Sequence, residues 1–328
     1  MDVTTVSLGN TEISLYSLLM LLGFAAAYLL SVFFAPKHGA KRSELALYGP
    51  LAGILGLLLG RIIYCYLQSS EMFYDELGQF RGLALLFDLS EGSACVIGVF
   101  AGALMAAPIA ASIMKGRKSH ILDAAALPGL LLFAFARIIE PLSGHGGGID
   151  VETEALRFFP LMLENGALAV CYIEALLALI IFVCCALCYR KFHHSGTLFL
   201  LSLALLSAAQ LLPESFRYDG ELRIFNFGRV NQIGFAIFLA LALLWALMRC
   251  GDKRRILRHA LIDYGLLFIG AGVFICGEFS LEAKLGFHWP HLVIYLIMLA
   301  AVLGMTAVVA LRILKEDRRH RSHHHHHE

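Results

Sequence analysis

The sequence predicts an all-α polytopic integral membrane protein, a helical bundle of about nine transmembrane helices with its N-terminus outside and its C-terminus in the cytoplasm. Three observations carry that expectation. Of 328 residues, 59% are hydrophobic and 16% charged, and a mean hydropathy of +0.74 belongs to a chain whose main solvent is hydrocarbon. The apolar residues fall into runs long enough to cross ~30 Å of bilayer as helices of about 20 residues. Basic and acidic residues alternate between the connections, which sets an orientation.

Spans are expected near 13–34, 44–67, 92–114, 122–139, 166–189, 196–212, 230–249, 259–279 and 288–314. The first begins after a polar leader without a basic n-region, so a retained helix and not a cleaved signal peptide is expected. Lys37, Lys41 and Arg42 follow it. Lys115, Arg117 and Lys118 lie between the third and fourth spans, Arg190 and Lys191 between the fifth and sixth, and Arg249, Lys253, Arg254, Arg255 and Arg258 between the seventh and eighth. Arg312, Lys315, Arg318, Arg319 and Arg321 close the chain. The other connections are acidic, with Glu71, Asp75, Glu76 and Asp88 in one, Asp150, Glu152, Glu154 and Glu164 in another, and Asp219 and Glu221 in a third. The basic side is the cytoplasmic one by the positive-inside rule, and its clusters read as topology determinants at anionic lipid heads. Nucleic acid is not the implied partner.

Eight cysteines lie in or at the ends of predicted helices, which argues against a disulfide framework. Cys184, Cys185 and Cys188 have a spacing that a metal could use, but it suits a small-residue packing face better. No metal and no cofactor is expected. His323 to His327 read as an affinity tag.

Chemistry is expected around Arg137. It ends an apolar run from Leu127, and a lipid-facing arginine costs roughly 2.5–3.5 kcal/mol on insertion scales, so it needs an anion, a polar cavity or the interface. A glycine-rich turn follows, with Glu140, Pro141, Gly144, His145 and then Gly146 to Gly148. Such a turn can admit a headgroup or move around one.

Several motifs in order carry a family resemblance. Gly53, Gly56, Gly60, Arg61 and Tyr64 mark the second span, Val96 to Val99 open the third, and Asp123, Pro128 and Gly129 lead to Phe135-Ala136-Arg137-Ile138. Tyr172 and Glu174 follow, then Glu214, Phe216, Arg217 and Asp219, then Gln232 and Ile233. Over about residues 10–250 this pattern resembles the prolipoprotein diacylglyceryl transferases. The resemblance implies a seven-helix membrane core that moves diacylglycerol from phosphatidylglycerol, or a related glycerophospholipid, to the lipobox cysteine of a preprolipoprotein. It implies a bacterial plasma membrane location. The sequence also departs from the pattern: Ser93 stands at the family histidine, Glu140 at an asparagine, His145 at a glutamate and Gln210 at an arginine. Two spans after Arg258 lie beyond the seven-helix pattern.

The expected organisation is a transferase-like membrane domain at 1–250, a two-helix extension at 251–315 and a cytoplasmic tail at 316–328. The catalytic candidates are Arg137, Glu140 and His145, and the substrate-binding candidates Arg61, Glu174, Gln210, Glu214 and Arg217. Guanidinium forks match phosphate oxygens bidentately, and His145 or Glu140 could take the acceptor thiol's proton. Bland readings stand beside each. Arg137 could pair with Glu174 or Glu140 only to hold the bundle, and Glu174 could serve Arg61 or Arg137. Arg61 could snorkel to the interface. Glu214 and Arg217 could form an exposed i,i+3 pair. Glu91 could be a residue favoured at a helix start, and Asp123 could cap the fourth helix. His145 could bind a metal, though no second ligand stands at a metal spacing. The rival to a transferase is a non-catalytic phospholipid-binding or assembly protein that kept the fold and lost the histidine; a small transporter is a further alternative.

Overall fold

The computed structural model describes residues 5–8, 11–75, 77–87, 94–152, 154, 157–218, 222–224, 228–250, 253–282 and 289–324. Glu76, Asp88, Glu91, Ser93, Asp219 and Glu221 lie outside them. Among the described residues, nine helices are long and apolar enough to cross a membrane. These are α1 (Leu15–Phe34), α2 (Arg42–Leu67), α4 (Val96–Met114), α5 (Lys118–Ile139), α6 (Val170–Cys188), α7 (Thr197–Phe216), α8 (Val230–Met248), α9 (Lys253–Leu281) and α10 (His291–His324). A one-turn helix α3 (Ser69–Met72) follows α2. The all-helical expectation holds for the spans, and three short antiparallel pairs supplement it: β1–β2 (Thr5–Leu8, Thr11–Ser14), β3–β4 (Gly147–Asp150, Ala167–Ala169) and β5–β6 (Arg223–Ile224, Gly228–Arg229).

The chain divides into two compact units. One comprises residues 28–125 and 220–234. Its centre is the α2–α4 pair, where glycines bring the two backbones into contact: a Cβ on Gly98 would stand 2.5 Å from the Gly60 Cα, and one on Gly102 2.4 Å from the Gly56 nitrogen. Close backbone approach is how helices associate in lipid, where burial of apolar surface gives no preference for a neighbour over solvent. The Cys95 amide donates to the Gly60 carbonyl at 2.9 Å, which fixes the start of α4 against α2.

The other unit comprises residues 1–27, 126–219 and 235–328. Here α7 is the central helix, with most of its residues buried, and both α6 and α10 pack against it. α10 runs well past the apolar stretch that ends near residue 314. Several of its charged residues, Arg312, Glu316 and Asp317, are buried there with partners. Arg312 Nε and Nη2 donate to the Asp263 carboxylate of α9 at 2.5 and 3.1 Å. Asp317 accepts from the His194 amide and the Thr197 hydroxyl at 2.8 and 2.9 Å. Arg312 is therefore a buried structural cation and not a residue at the lipid surface.

Two local expectations change. Asp123 does not cap its helix, because α5 begins at Lys118 and Asp123 is buried in its second turn. The fifth apolar run begins as strand β4 before turning into α6 at Val170, so Glu174 lies one turn inside that helix.

Candidate functional site

The unit built on α7 gathers four charged residues from four segments. Arg137 is in the last turn of α5. Pro141 then fixes the backbone for a one-turn 3-10 helix, Glu140–Ser143, which Gly144 terminates in the left-handed region at φ 80°. That sharp turn places Glu140 over Arg137, three residues away. Glu174 projects from the second turn of α6 and is fully buried. Arg217 follows the last turn of α7, where its backbone leaves the helix in an extended conformation.

The four side chains alternate in charge. Arg217 Nη1 and Nη2 donate to the two Glu140 oxygens at 2.9 and 2.7 Å, while its Nε and Nη2 reach Glu174 at 3.3 and 2.8 Å. Arg137 Nη1 lies 3.0 Å from both Glu140 oxygens. Burial alone would lower the Arg217 pKa, but Glu174 and Glu140 outweigh it and hold the guanidinium charged well above its ordinary value. Glu214 adds a longer contact, 4.0 Å from Arg217 Nε. The expectation of an exposed Glu214–Arg217 pair is thus corrected: both are buried, and Arg217 makes its short contacts to Glu140 and Glu174.

Arg137 is held less completely. Its Nε stands 2.9 Å from Glu174 Oε2, an ion-pair contact, but the N–H direction misses hydrogen-bond alignment, and Nη2 has no partner among the described residues. The guanidinium carbon lies 5.0 Å from the centroid of the Phe133 ring, which fixes one side of it. Gln210 is fully buried, and neither its amide atoms nor the equally buried Ser207 hydroxyl has a partner among the described residues. Ser207, Gln210, Glu214 and Arg217 follow one another at helical spacing on one face of α7 and its end. Ser207 was not singled out from sequence, although its position one turn before Gln210 was a usable signal.

His145 points elsewhere. Its side chain is exposed, and Nδ1 lies 2.9 Å from the Ser143 carbonyl. A carbonyl only accepts, so this contact assigns the ring proton to Nδ1 and leaves the Nε2 lone pair for an incoming donor. The glycines around it are there for contact. Gly146, at φ 102°, has no room for a Cβ beside the Cys171 sulfur, and a Cβ on Gly148 would stand 2.3 Å from the Phe216 carbonyl. Gly148 also bridges in strand fashion to Arg217, which ties the turn to the end of α7.

Arg61 belongs to the other unit and does not snorkel. It is 3% exposed, with Nε and Nη2 donating to the Leu86 and Leu85 carbonyls at 3.1 and 2.9 Å. Those bonds fasten the connection after α3 to the C-terminal half of α2. Glu174 pairs with Arg137 and Arg217, which settles the choice left open between Arg61 and Arg137.

A bundle of apolar helices around a buried ring of guanidiniums and carboxylates defines a multi-pass membrane protein with a polar site among its helices. The prolipoprotein diacylglyceryl transferase family model matches residues 3–249, and the chain belongs to that family. A comparison with curated proteins found no match. Family membership confirms the resemblance of the sequence motifs, and with it a transferase-type fold linked to lipoprotein biosynthesis and to a phospholipid donor. α9 and α10 lie outside the matched region.

Proposed function

We propose that this protein is a diacylglyceryl transferase of the bacterial plasma membrane, taking its lipid from phosphatidylglycerol and giving it to a lipobox cysteine of a preprolipoprotein. One observation carries the reading. Arg137 Nη2 is a charged donor, buried and without a partner among the described residues, on a side chain otherwise held by two carboxylates and an aromatic ring. Leaving such a donor unmet costs about 1–3 kcal/mol or more for a charged group, and a phosphate or ester oxygen is the acceptor that removes the cost. Gln210 and Ser207 supply further unmet polar atoms of neutral type, suited to glycerol and ester oxygens.

In the transfer, the acceptor sulfur forms a bond to the terminal glycerol carbon of the diacylglyceryl group, and the bond from that carbon to the phosphate oxygen breaks. The leaving glycerol phosphate carries off the electron pair, and the thiol proton goes to a base. Arg137 stabilises the charge that develops on the leaving phosphate. Glu140 and Glu174 orient the two guanidiniums, their oxygens being engaged by N–H donors. Of the two base candidates, Glu140 and His145, the exposed His145 is the better proton acceptor through Nε2.

A phospholipid-binding protein without turnover is favoured by a different observation: Ser93 stands where the family pattern has a histidine, and an unassisted hydroxyl is a poor base. The two readings separate in one assay with purified protein, phosphatidylglycerol and a lipobox peptide. The transferase reading expects thioether product from the wild type and a loss of about 100-fold with His145→Gln, the usual size of a general-base contribution. A binder gives retained lipid and no product. Undiminished transfer by His145→Gln would remove His145 from the mechanism.

Orientation follows the charge pattern. A cysteine placed at Gly147 is expected to react with a membrane-impermeant thiol reagent from outside in intact cells, and one at Arg254 only after the membrane is opened. Labelling of both from one side would contradict an odd number of crossings between them.

A further inference from the structure

We infer that the C-terminal helices α9 and α10, outside the family match, act as a splint that positions Arg217, with Tyr295 and Glu278 as its positioning residues. This rests on the site reading above, since Arg217 is the residue positioned. Ser215 and Phe216 immediately precede Arg217 in the chain, and each is held by the extension. The Ser215 hydroxyl donates to the Glu278 carboxylate of α9. The Phe216 ring stacks on Tyr295 of α10 with centroids 4.6 Å apart and planes tilted by 32°. Such an aromatic pair contributes beyond its burial and has a definite geometry, so it fixes the rotation of the last turn of α7.

The same helix holds the opposite end of α7. Asp317 of α10 takes the Thr197 hydroxyl and the amides of His193 and His194, and Arg249 closes the group by donating to Thr197 Oγ1 at 3.0 Å and to the Ser195 carbonyl at 3.1 Å. Between Tyr295 and Asp317 α10 advances by about 33 Å at 1.5 Å per residue, close to the length of α7. One helix thus grips its antiparallel neighbour at both termini. A pair held at two ends resists both sliding and rotation, and rotation at the Phe216 end moves the Arg217 guanidinium away from Glu140 and Glu174. A misplacement near 1 Å at a positioning group can cost about 100-fold in rate.

The experiment compares wild type, Tyr295→Phe, Tyr295→Ala and Asp317→Asn, each also in an Arg217→Ala background, reconstituted in bilayers containing phosphatidylglycerol. Two quantities are read: transfer to a lipobox peptide, and hydrogen–deuterium exchange of the backbone at 214–218. Tyr295→Ala is expected to speed exchange at 214–218 at least tenfold and to lower transfer by about tenfold, with Tyr295→Phe matching wild type because the ring remains. Asp317→Asn should speed exchange at 193–197 and leave 214–218 protected. In the Arg217→Ala background Tyr295→Ala should cause no further loss of transfer, the non-additivity that marks action through one residue. Unchanged exchange at 214–218 in Tyr295→Ala overturns the splint whatever the activity. Faster exchange with full transfer, or an equal further loss without Arg217, overturns the positioning role. Absence of transfer in the wild type with faster exchange in Tyr295→Ala upholds the splint and rejects the transferase reading.

Discussion

Arg217→Ala will destabilise the protein by about 3–5 kcal/mol, the range for removing one partner of a buried ion pair and leaving the other uncompensated. The reason is the number of contacts that converge on one side chain. Arg217 donates to both oxygens of Glu140 and to both oxygens of Glu174, and among the described residues Arg137 is the other cation paired with both. After truncation, two buried carboxylates share one guanidinium that is aligned to only one of them. Equilibrium unfolding in mixed detergent measures the change. Arg217→Lys should recover part of it, because an ammonium restores the charge without the planar fork that spans two carboxylates. Adding Glu140→Gln to Arg217→Ala should recover part as well, since it removes the uncompensated charge. Wild-type stability in Arg217→Ala would mean that the ring does not hold these segments together.

Arg137→Ala should show the reverse balance, a smaller loss of stability and the larger loss of function. Its guanidinium has one well-aligned carboxylate partner, one misaligned contact and one free donor, so the protein depends on it less than on Arg217. The free donor is what a phosphate oxygen would meet. Loss of transfer by about 100-fold or more is expected, the size seen when one preorganised donor to a developing anion is removed. Arg137→Lys should not restore it, because a point charge cannot keep Glu140 and offer a second aligned N–H. Arg61→Ala should have far less effect on lipid retention, since the Arg61 donors go to the Leu85 and Leu86 carbonyls. Equal lipid retention and turnover in wild type and Arg137→Ala would remove Arg137 from the site.

The spans were legible because membrane helices are written as composition: hydrocarbon imposes runs of apolar residues, and the runs read from sequence match the helices to within a few residues at most ends. The central charges were legible as candidates but not as partners. Arg137 and Glu140 could be paired from their spacing, whereas Glu174 joins them from another helix and nothing in the local sequence selects Arg137 over Arg61 for it. The alternative reading of Glu214 and Arg217 as an exposed pair failed for the same reason. An i,i+3 spacing tells which side chains are neighbours along a helix, not whether that face meets lipid, water or three other helices. The end of α10 was missed because a run of charges reads as a solvated tail, while Asp263 and the amides of His193 and His194, far away in sequence, give Arg312 and Asp317 buried partners. His145 was read as a site residue from the turn around it, and its side chain is exposed with Nδ1 at the Ser143 carbonyl, a placement that no local sequence pattern announces.

The most direct test of a buried Arg137 donor serving diacylglyceryl transfer is mass spectrometry of a lipobox peptide after incubation with purified protein and phosphatidylglycerol, run in parallel with Arg137→Ala. The expected result is a peptide heavier by one diacylglyceryl group on its cysteine, with an equal amount of glycerol phosphate released, and about 100-fold less of both from the variant. Unmodified peptide from folded wild-type protein that still carries phosphatidylglycerol would contradict transfer and leave a lipid-binding protein.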